Sequence, residues 1–169
     1  MQITDIFVDD VGVAAARADI VNAINSGQGL VNYLGHGSEE QWAGPDIFDE
    51  NTVGTLTNAS QLSVFLIMDC LNGLFQDVYA QPLGVTLVLA SNGGAVAVLA
   101  SSGLNQPAPQ TTLDVLVVQN AFSANATTLG DAIVTAKANI TDPNVRRTFV
   151  LFGDPAMKIK QPASSTAVH

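Results

Sequence analysis

The sequence predicts an α/β domain of three layers, in which a mainly parallel sheet lies between helices on both faces. Of the 169 residues, 47% are apolar, which is enough to bury a sizeable core in one domain. The segments Ser63–Met68 and Ala95–Leu99 are almost entirely apolar, as is typical of strands inside a parallel sheet. Helical patterns alternate with these strands, and this alternation favours the α/β class.

The first half of the chain supplies one helix and two strands. Apolar residues recur at helical spacing through Asp10–Ser26, which predicts an amphipathic helix. The short run Gly29–Leu34 is rich in residues that favour strands and predicts the first strand. The polar stretch Ser38–Gly54 is expected to be a loop, and a short helical turn over Thr55–Ser60 is expected to lead into the second strand.

The second half of the chain repeats the alternation. Helices are predicted over Pro82–Ser91, before the third strand, and over Thr111–Ser123, after a loop at Leu104–Gln110 that contains proline. A further helix is predicted over Leu129–Ile140, and a last strand over Arg147–Phe152. We expect one domain over residues 1–160, with a small, polar and disordered tail over residues 161–169.

The composition excludes several classes of function. The net charge of −9 and the absence of a basic stripe exclude nucleic-acid binding by phosphate neutralisation. No apolar stretch reaches the length of about 18 residues that a membrane-spanning helix needs. Cys70 is the single cysteine, so the chain forms no internal disulfide, and it lacks the four Cys or His ligands typical of a structural zinc site. We therefore expect no metal and no cofactor.

The residues that directly follow the strands carry the chemistry. His36 follows the first predicted strand and Cys70 follows the second. Because ligands of parallel sheets bind beyond the carboxyl ends of the strands, neighbouring strands would bring both side chains to one edge. An imidazole can activate a thiol as a nucleophile, and the N–H groups of Gly37 and Cys70 are candidate donors to an oxyanion. The pattern predicts nucleophilic catalysis by a Cys–His pair.

Three runs resemble the gingipain-type cysteine peptidases, whose fold is caspase-like. They are Gly-His-Gly-Ser at 35–38 with Trp42 four residues on, Cys-Leu-Asn-Gly at 70–73, and the strand that ends in Ser101 and Ser102. The closing run Arg147–Pro155 is also similar to the end of that peptidase domain. The resemblance covers nearly the whole chain, from about Ala14 to Ile159.

The resemblance implies a cysteine endopeptidase that acts on peptide or protein substrates. It implies that Cys70 is the nucleophile and His36 the catalytic histidine, with the main-chain N–H groups of Gly37 and Cys70 as the oxyanion hole. It implies that Asn105 and Gln106 line the pocket for the residue before the scissile bond. Trp42 is a further pocket candidate, although we interpret it first as a packing residue. Such peptidases are typically secreted or surface-bound bacterial proteins, often one domain of a longer chain.

The sequence departs from the family pattern at three places. The family's domains begin well upstream of Met1, so the chain is expected to lack the N-terminal portion. The residue before the nucleophile is usually small or apolar, whereas here it is Asp69, a carboxylate that would oppose ionisation of the thiol unless it points away or is paired. The loop after Gln106 reads Pro-Ala-Pro and lacks the family's aromatic residue. Arg or Lys specificity is therefore not carried over.

Other interpretations stay open beside the peptidase. The domain could be a catalytically degenerate binding or assembly module, or a transpeptidase that passes the acyl group to an amine. Cys70 could be an inert core thiol and His36 an ordinary loop histidine. Ser101 and Ser102 lack the Gly-x-Ser-x-Gly pattern of a serine nucleophile, so we interpret them as polar residues at a strand end.

Overall fold

Four strands form one sheet in a computed structural model that describes residues 3–42, 47–123, 125 and 128–159. The strands are β1 (Leu30–Leu34), β2 (Ser63–Met68), β3 (Ala95–Ser101) and β4 (Phe149–Phe152), and they neighbour one another in that order. The first three run parallel, and β4 pairs antiparallel with β3. The prediction of an α/β fold with a mainly parallel sheet is confirmed.

Helices cover both faces of this sheet. They are α1 (Val8–Val11), α2 (Val13–Asn25), α3 (Glu50–Val53), α4 (Leu83–Leu89), α5 (Pro107–Ala121), α6 (Leu129–Ala138) and α7 (Pro143–Thr148). None of the helices described is long and apolar enough to cross a membrane.

The core consists of two layers, one on each face of β2. All six residues of β2 are buried, and successive side chains point to opposite faces of a strand. Phe65 and Ile67 pack with residues of α2, α3 and α4. Val64, Leu66 and Met68 pack with residues of α5, α6 and α7. The predicted three-layer arrangement is therefore confirmed, and the carboxyl ends of β1, β2 and β3 meet at one edge.

Two predictions in the first half of the chain were wrong in detail. The helix predicted over Asp10–Ser26 is divided at Gly12, whose φ of 81° lies in the left-handed region that favours glycine. The helical turn predicted over Thr55–Ser60 is instead α3, inside the predicted loop. The cause is Asp49, whose carboxylate accepts a hydrogen bond from the Thr52 N–H at 2.8 Å and caps the helix.

Helix boundaries also differ in the second half. The loop predicted over Leu104–Gln110 ends early because α5 begins at Pro107, and proline suits the first turn of a helix, where its missing N–H costs nothing. The strand predicted over Arg147–Phe152 begins only at Phe149. The residues before it form α7, capped by Asp142, whose carboxylate accepts from two main-chain N–H groups. The predicted tail over 161–169 lies outside the described residues.

Candidate active site

The register of β1 and β2 sets the positions of the two candidate catalytic residues. Leu34 at the end of β1 pairs with Met68 at the end of β2, and the Gly35 N–H donates to the Met68 carbonyl at 3.3 Å. His36 and Cys70 each lie two residues beyond this last register pair. His36 is exposed and Cys70 is half-buried. The two residues therefore follow the same edge of the sheet, on neighbouring parallel strands.

Aromatic packing holds the loop that carries His36. The Tyr33 ring stacks on Trp42 with a centroid distance of 4.2 Å, and its hydroxyl donates to the His36 carbonyl at 2.8 Å. A side chain at Gly35 would overlap the Tyr33 hydroxyl and displace it from this position. Trp42 is 2% exposed and also stacks on Phe48. The packing interpretation of Trp42 agrees with this burial, and its ring has almost no surface left to form a pocket wall.

Asn72 ties the His36 loop to the Cys70 loop. Its side chain is fully buried, and its amide nitrogen donates to the main-chain carbonyl of Ser38 and, at 3.3 Å, to that of Gln41. Its own main-chain carbonyl accepts from the Gly84 N–H at 2.9 Å, at the start of α4. One buried amide thus fixes the distance between the two loops that carry the candidate catalytic groups.

The chain turns sharply directly after Cys70. Leu71 has a φ of 68°, a conformation that costs free energy for a residue other than glycine and is concentrated at functional sites. Two residues later, the Gly73 N–H donates to the Ser101 carbonyl at 2.8 Å. A Cβ at Gly73 would lie 2.8 Å from the Ala100 carbonyl oxygen, so only glycine lets the turn approach β3 so closely.

The Cys70 sulfur contacts two N–H donors on the side of α5. The Asn105 N–H lies 3.4 Å from Sγ, and Nε2 of Gln110 lies 3.9 Å from it. A protonated Sγ can donate in turn to the Asn105 carbonyl, 3.7 Å away. Gln110 itself is 4% exposed. The sulfur therefore lies against the first turn of α5.

The loop after β3 is anchored by the side chain of Asn105. Its amide nitrogen donates to the hydroxyl of Ser101 at 2.6 Å and to that of Thr148 at 3.0 Å. Ser101 is fully buried, in agreement with the interpretation of this serine as a structural polar residue at a strand end. Gln106 is exposed beside this anchor. The structure thus ties Asn105 into the loop and leaves Gln106 open to solvent.

The Asp69 carboxyl and the Cys70 sulfur have different neighbours, the first beside Gly37 and the second beside Asn105 and Gln110. The Asp69 carboxyl is fully buried against Gly37, where any Cβ would overlap it. Neither carboxyl oxygen finds a hydrogen-bond partner within the described residues. Burial raises the pKa of Asp69 to about 8. At neutral pH this side chain is therefore mostly uncharged, and it points away from the groups that contact the sulfur.

Two main-chain N–H groups at this edge of the sheet have no acceptor among the residues that the structure describes. Within the part of the chain that the structure describes, neither the Gly37 N–H nor the Cys70 N–H donates a hydrogen bond. Donors left unpaired beside a nucleophile are what an oxyanion hole requires. For metals, no group of three or more His, Cys, Asp or Glu side chains among residues 3–42, 47–123, 125 and 128–159 is arranged to hold an ion.

Sequence reasoning missed Gln110 and Asn72 as parts of the site. Gln110 begins the buried face of α5, which continues through Leu113, Asp114 and Val117 at helical spacing. A polar residue on a core-facing stripe was the available signal for Gln110. Asn72 stood inside the Cys-Leu-Asn-Gly run, but nothing in the sequence alone pointed to its partners across the site.

The family model and the curated proteins that match this chain point to the same family. The family model described as "Peptidase family C25" matches residues 1–160. Among curated proteins, the chain is 37% identical over 93 residues to gingipain R2 and to gingipain R1 of Porphyromonas gingivalis. Each match covers 52% of this chain, but only 12% of that gingipain R2 and 9% of that gingipain R1.

Solved structures agree in fold over a longer stretch. A crystal structure described as the Arg specific cysteine proteinase gingipain R has a TM-score of 0.78 at 28% identity, and the match covers 86% of this chain and 36% of that one. A complex of the pro- and mature domains of Porphyromonas gingivalis RgpB has a TM-score of 0.79 at 25% identity and covers 86% and 37%. The chain thus spans little more than a third of these structures.

Proposed function

The chain belongs to peptidase family C25. We propose that it contains the catalytic residues of a cysteine endopeptidase, which hydrolyses peptide bonds, and that these residues lie at the carboxyl edge of the sheet. Cys70 is the nucleophile and His36 its acid–base partner. The N–H groups of Gly37 and Cys70 stabilise the oxyanion. The observation that carries the proposal is the register of β1 and β2, which ends at Leu34 and Met68 and leaves both residues two positions beyond it.

The mechanism follows from these groups. The Cys70 thiolate attacks the scissile carbonyl carbon, and the carbonyl oxygen becomes an oxyanion that accepts hydrogen bonds from the N–H groups of Gly37 and Cys70. The protonated imidazole of His36 gives its proton to the leaving amine as the C–N bond breaks. Water then attacks the thioester carbonyl and gives a proton to His36. The C–S bond breaks, which releases a carboxylic acid and restores the Cys70 thiolate beside a protonated His36.

Peptidyl electrophiles test the proposal directly. We expect a peptidyl acyloxymethyl ketone to label the protein at Cys70 far faster than it labels free cysteine. The Cys70→Ala variant should not react, and the His36→Ala variant should react at least tenfold more slowly, because a general acid–base group contributes about 10²–10⁴-fold. Mass spectrometry of the intact protein measures the labelled fraction over time.

The matched control is Ser102→Ala, a nearby polar residue with no role in the mechanism. It should label at the rate of the unaltered protein. Labelling no faster than that of free cysteine would favour the alternative of a catalytically degenerate binding module. A product in which the acyl group is joined to an added amine, and not to water, would favour the transpeptidase.

A panel of electrophiles also addresses the substrate. The solved relative is described as Arg specific, but we do not transfer that preference, and the panel therefore includes basic, apolar and small residues before the reactive group. Asn105 and Gln106 are proposed to line the pocket for that residue, by resemblance, with the exposed Gln106 side chain the better placed to contact substrate. Export to the cell surface or beyond it stays a prediction from the family resemblance.

A further inference from the structure

The amide of Gln110 contacts both the main-chain carbonyl that precedes Cys70 and the Cys70 sulfur. Its Nε2 lies 3.2 Å from the Asp69 carbonyl oxygen and 3.9 Å from the Cys70 sulfur. An amide nitrogen has two hydrogens, so it can serve both acceptors at once. Gln110 is 4% exposed and lies in the first turn of α5, so its side chain is held in place by the core.

We propose that Gln110 is a further catalytic residue, which stabilises the Cys70 thiolate and aims the Cys70 N–H at the oxyanion. The proposal rests on the peptidase function proposed above. In this proposal, an uncharged residue of α5 contributes to activation of the Cys70 thiol, together with His36.

The first part of the role concerns the sulfur. A thiolate accepts hydrogen bonds much more strongly than a thiol does, so donors that contact Sγ favour the ionised form. Gln110 Nε2 and the Asn105 N–H are two such donors, on the same side of the residue. The Asn105 carbonyl favours the protonated form, but the thiol is a weak donor, and the 3.7 Å contact is long. Two N–H donors therefore contact Sγ, against one long contact with an acceptor.

The second part concerns the oxyanion. The Asp69 carbonyl and the Cys70 N–H belong to one planar trans peptide unit, so they point in opposite directions. A hydrogen bond from Gln110 that fixes the carbonyl therefore also fixes the direction of the N–H. Leu71, the residue after Cys70, has a φ of 68°, so the main chain directly beyond this peptide unit is strained.

The test is the pH dependence of alkylation of Cys70 by iodoacetamide, which needs no peptidase activity. In Gln110→Met, which has similar volume and no donor, we expect the pH of half-maximal alkylation rate to rise by about 0.5–1 unit, and the rate at pH 6 to fall by about 3–10-fold. Gln110→Glu should raise the pH of half-maximal alkylation rate further, because a carboxylate would then face the thiolate. Gln119→Met, the same substitution at an exposed position of α5, should leave the profile unchanged.

Comparison of the alkylation profile with the unfolding midpoint of each variant separates a catalytic role of Gln110 from a structural one. If Gln110 only supports the fold, Gln110→Met and Gln110→Glu lower the midpoint of urea unfolding while the alkylation profile stays where it was, and that result overturns the proposal. If Gln110→Met does not fold, Gln110→Asn keeps a buried amide that is one methylene too short to reach Sγ, and its profile should move in the same direction. An unmoved profile in the folded Asn variant also overturns the proposal.

The proposed function and the role of Gln110 fail in different ways. A protein that is alkylated with a Gln110-dependent profile but cleaves no peptide leaves the thiolate role standing and removes the peptidase. A protein that cleaves peptides with an unmoved profile in the Gln110 variants keeps the peptidase and removes Gln110 from the mechanism. Where cleavage is measured, Gln110→Met should lower kcat more than it raises KM, because the oxyanion forms only during the reaction.

Discussion

Replacement of Asp69 by asparagine should change how stability depends on pH. The Asp69 carboxyl is fully buried, its oxygens have no hydrogen-bond partner within the described residues, and burial raises its pKa to about 8. In the unfolded chain the same group has an ordinary pKa near 3.8. Asp69→Asn keeps the shape of the side chain and removes its titration.

The sign and size of the effect follow from proton linkage. Between pH 4 and pH 8 the folded chain keeps a proton on Asp69 that the unfolded chain has released, so the free energy of unfolding falls as the pH rises. The slope is about 1.4 kcal/mol per pH unit, and the pKa difference of about four units gives a total on the order of 5 kcal/mol. That is comparable with the whole stability of many domains.

Urea unfolding at pH 5, 6, 7 and 8 measures this difference. The chain has one tryptophan, Trp42, stacked between Tyr33 and Phe48, and its fluorescence should change on unfolding. We expect the stability of Asp69→Asn relative to the unaltered protein to rise by about 1 kcal/mol per pH unit. Asp19→Asn, the same substitution at an exposed position of α2, is the matched control. Parallel stability curves for Asp69→Asn and the unaltered protein would refute the reasoning.

Three further substitutions test the supports of the site. Gly37→Ala should lower the free energy of unfolding by about 1–3 kcal/mol, since the new methyl group overlaps Asp69, and urea unfolding should show a smaller loss in an Asp69→Ala background. Asn72→Ala should lower the free energy of unfolding by about 1–3 kcal/mol, because it leaves buried carbonyls without a donor. It should also slow labelling by peptidyl electrophiles, because the loop of His36 is no longer held in place. Normal labelling of this variant would contradict the role of Asn72. Tyr33→Phe should lower stability by only about 0.5–1.5 kcal/mol, measured in the same way, because one hydrogen bond is lost and the ring stacking is kept.

The sequence was sufficient for those features that depend on local pattern. The all-apolar run of β2 identified a strand buried on both faces, and the residues after β1 and β2 pointed to the edge where His36 and Cys70 lie. Helix boundaries were less predictable, because single residues at the helix ends determine them. Asp49 caps the start of α3, and Pro107 begins α5 inside an expected loop.

Contacts between distant segments could not be predicted from one sequence. Asn72 meets the loop of Ser38 across 34 positions, and Gln110 meets Cys70 across 40, and no local pattern encodes such partners. The environment of Asp69 was equally hidden. Its neighbour in sequence is Cys70, but the neighbour of its carboxyl in space is Gly37, on the loop after β1.

The position of this carboxyl also explains how an acidic residue can precede the proposed nucleophile. The Asp69 carboxyl packs against Gly37 in the His36 loop, whereas the Cys70 sulfur lies beside the start of α5, where Gln110 and Asn105 donate to it. The carboxyl therefore acts on the thiolate weakly while it is protonated. Its charge would matter more to Gly37, whose N–H is a proposed oxyanion donor. Ionisation of Asp69 above about pH 8 would place a negative charge beside a developing oxyanion and so oppose the reaction at alkaline pH.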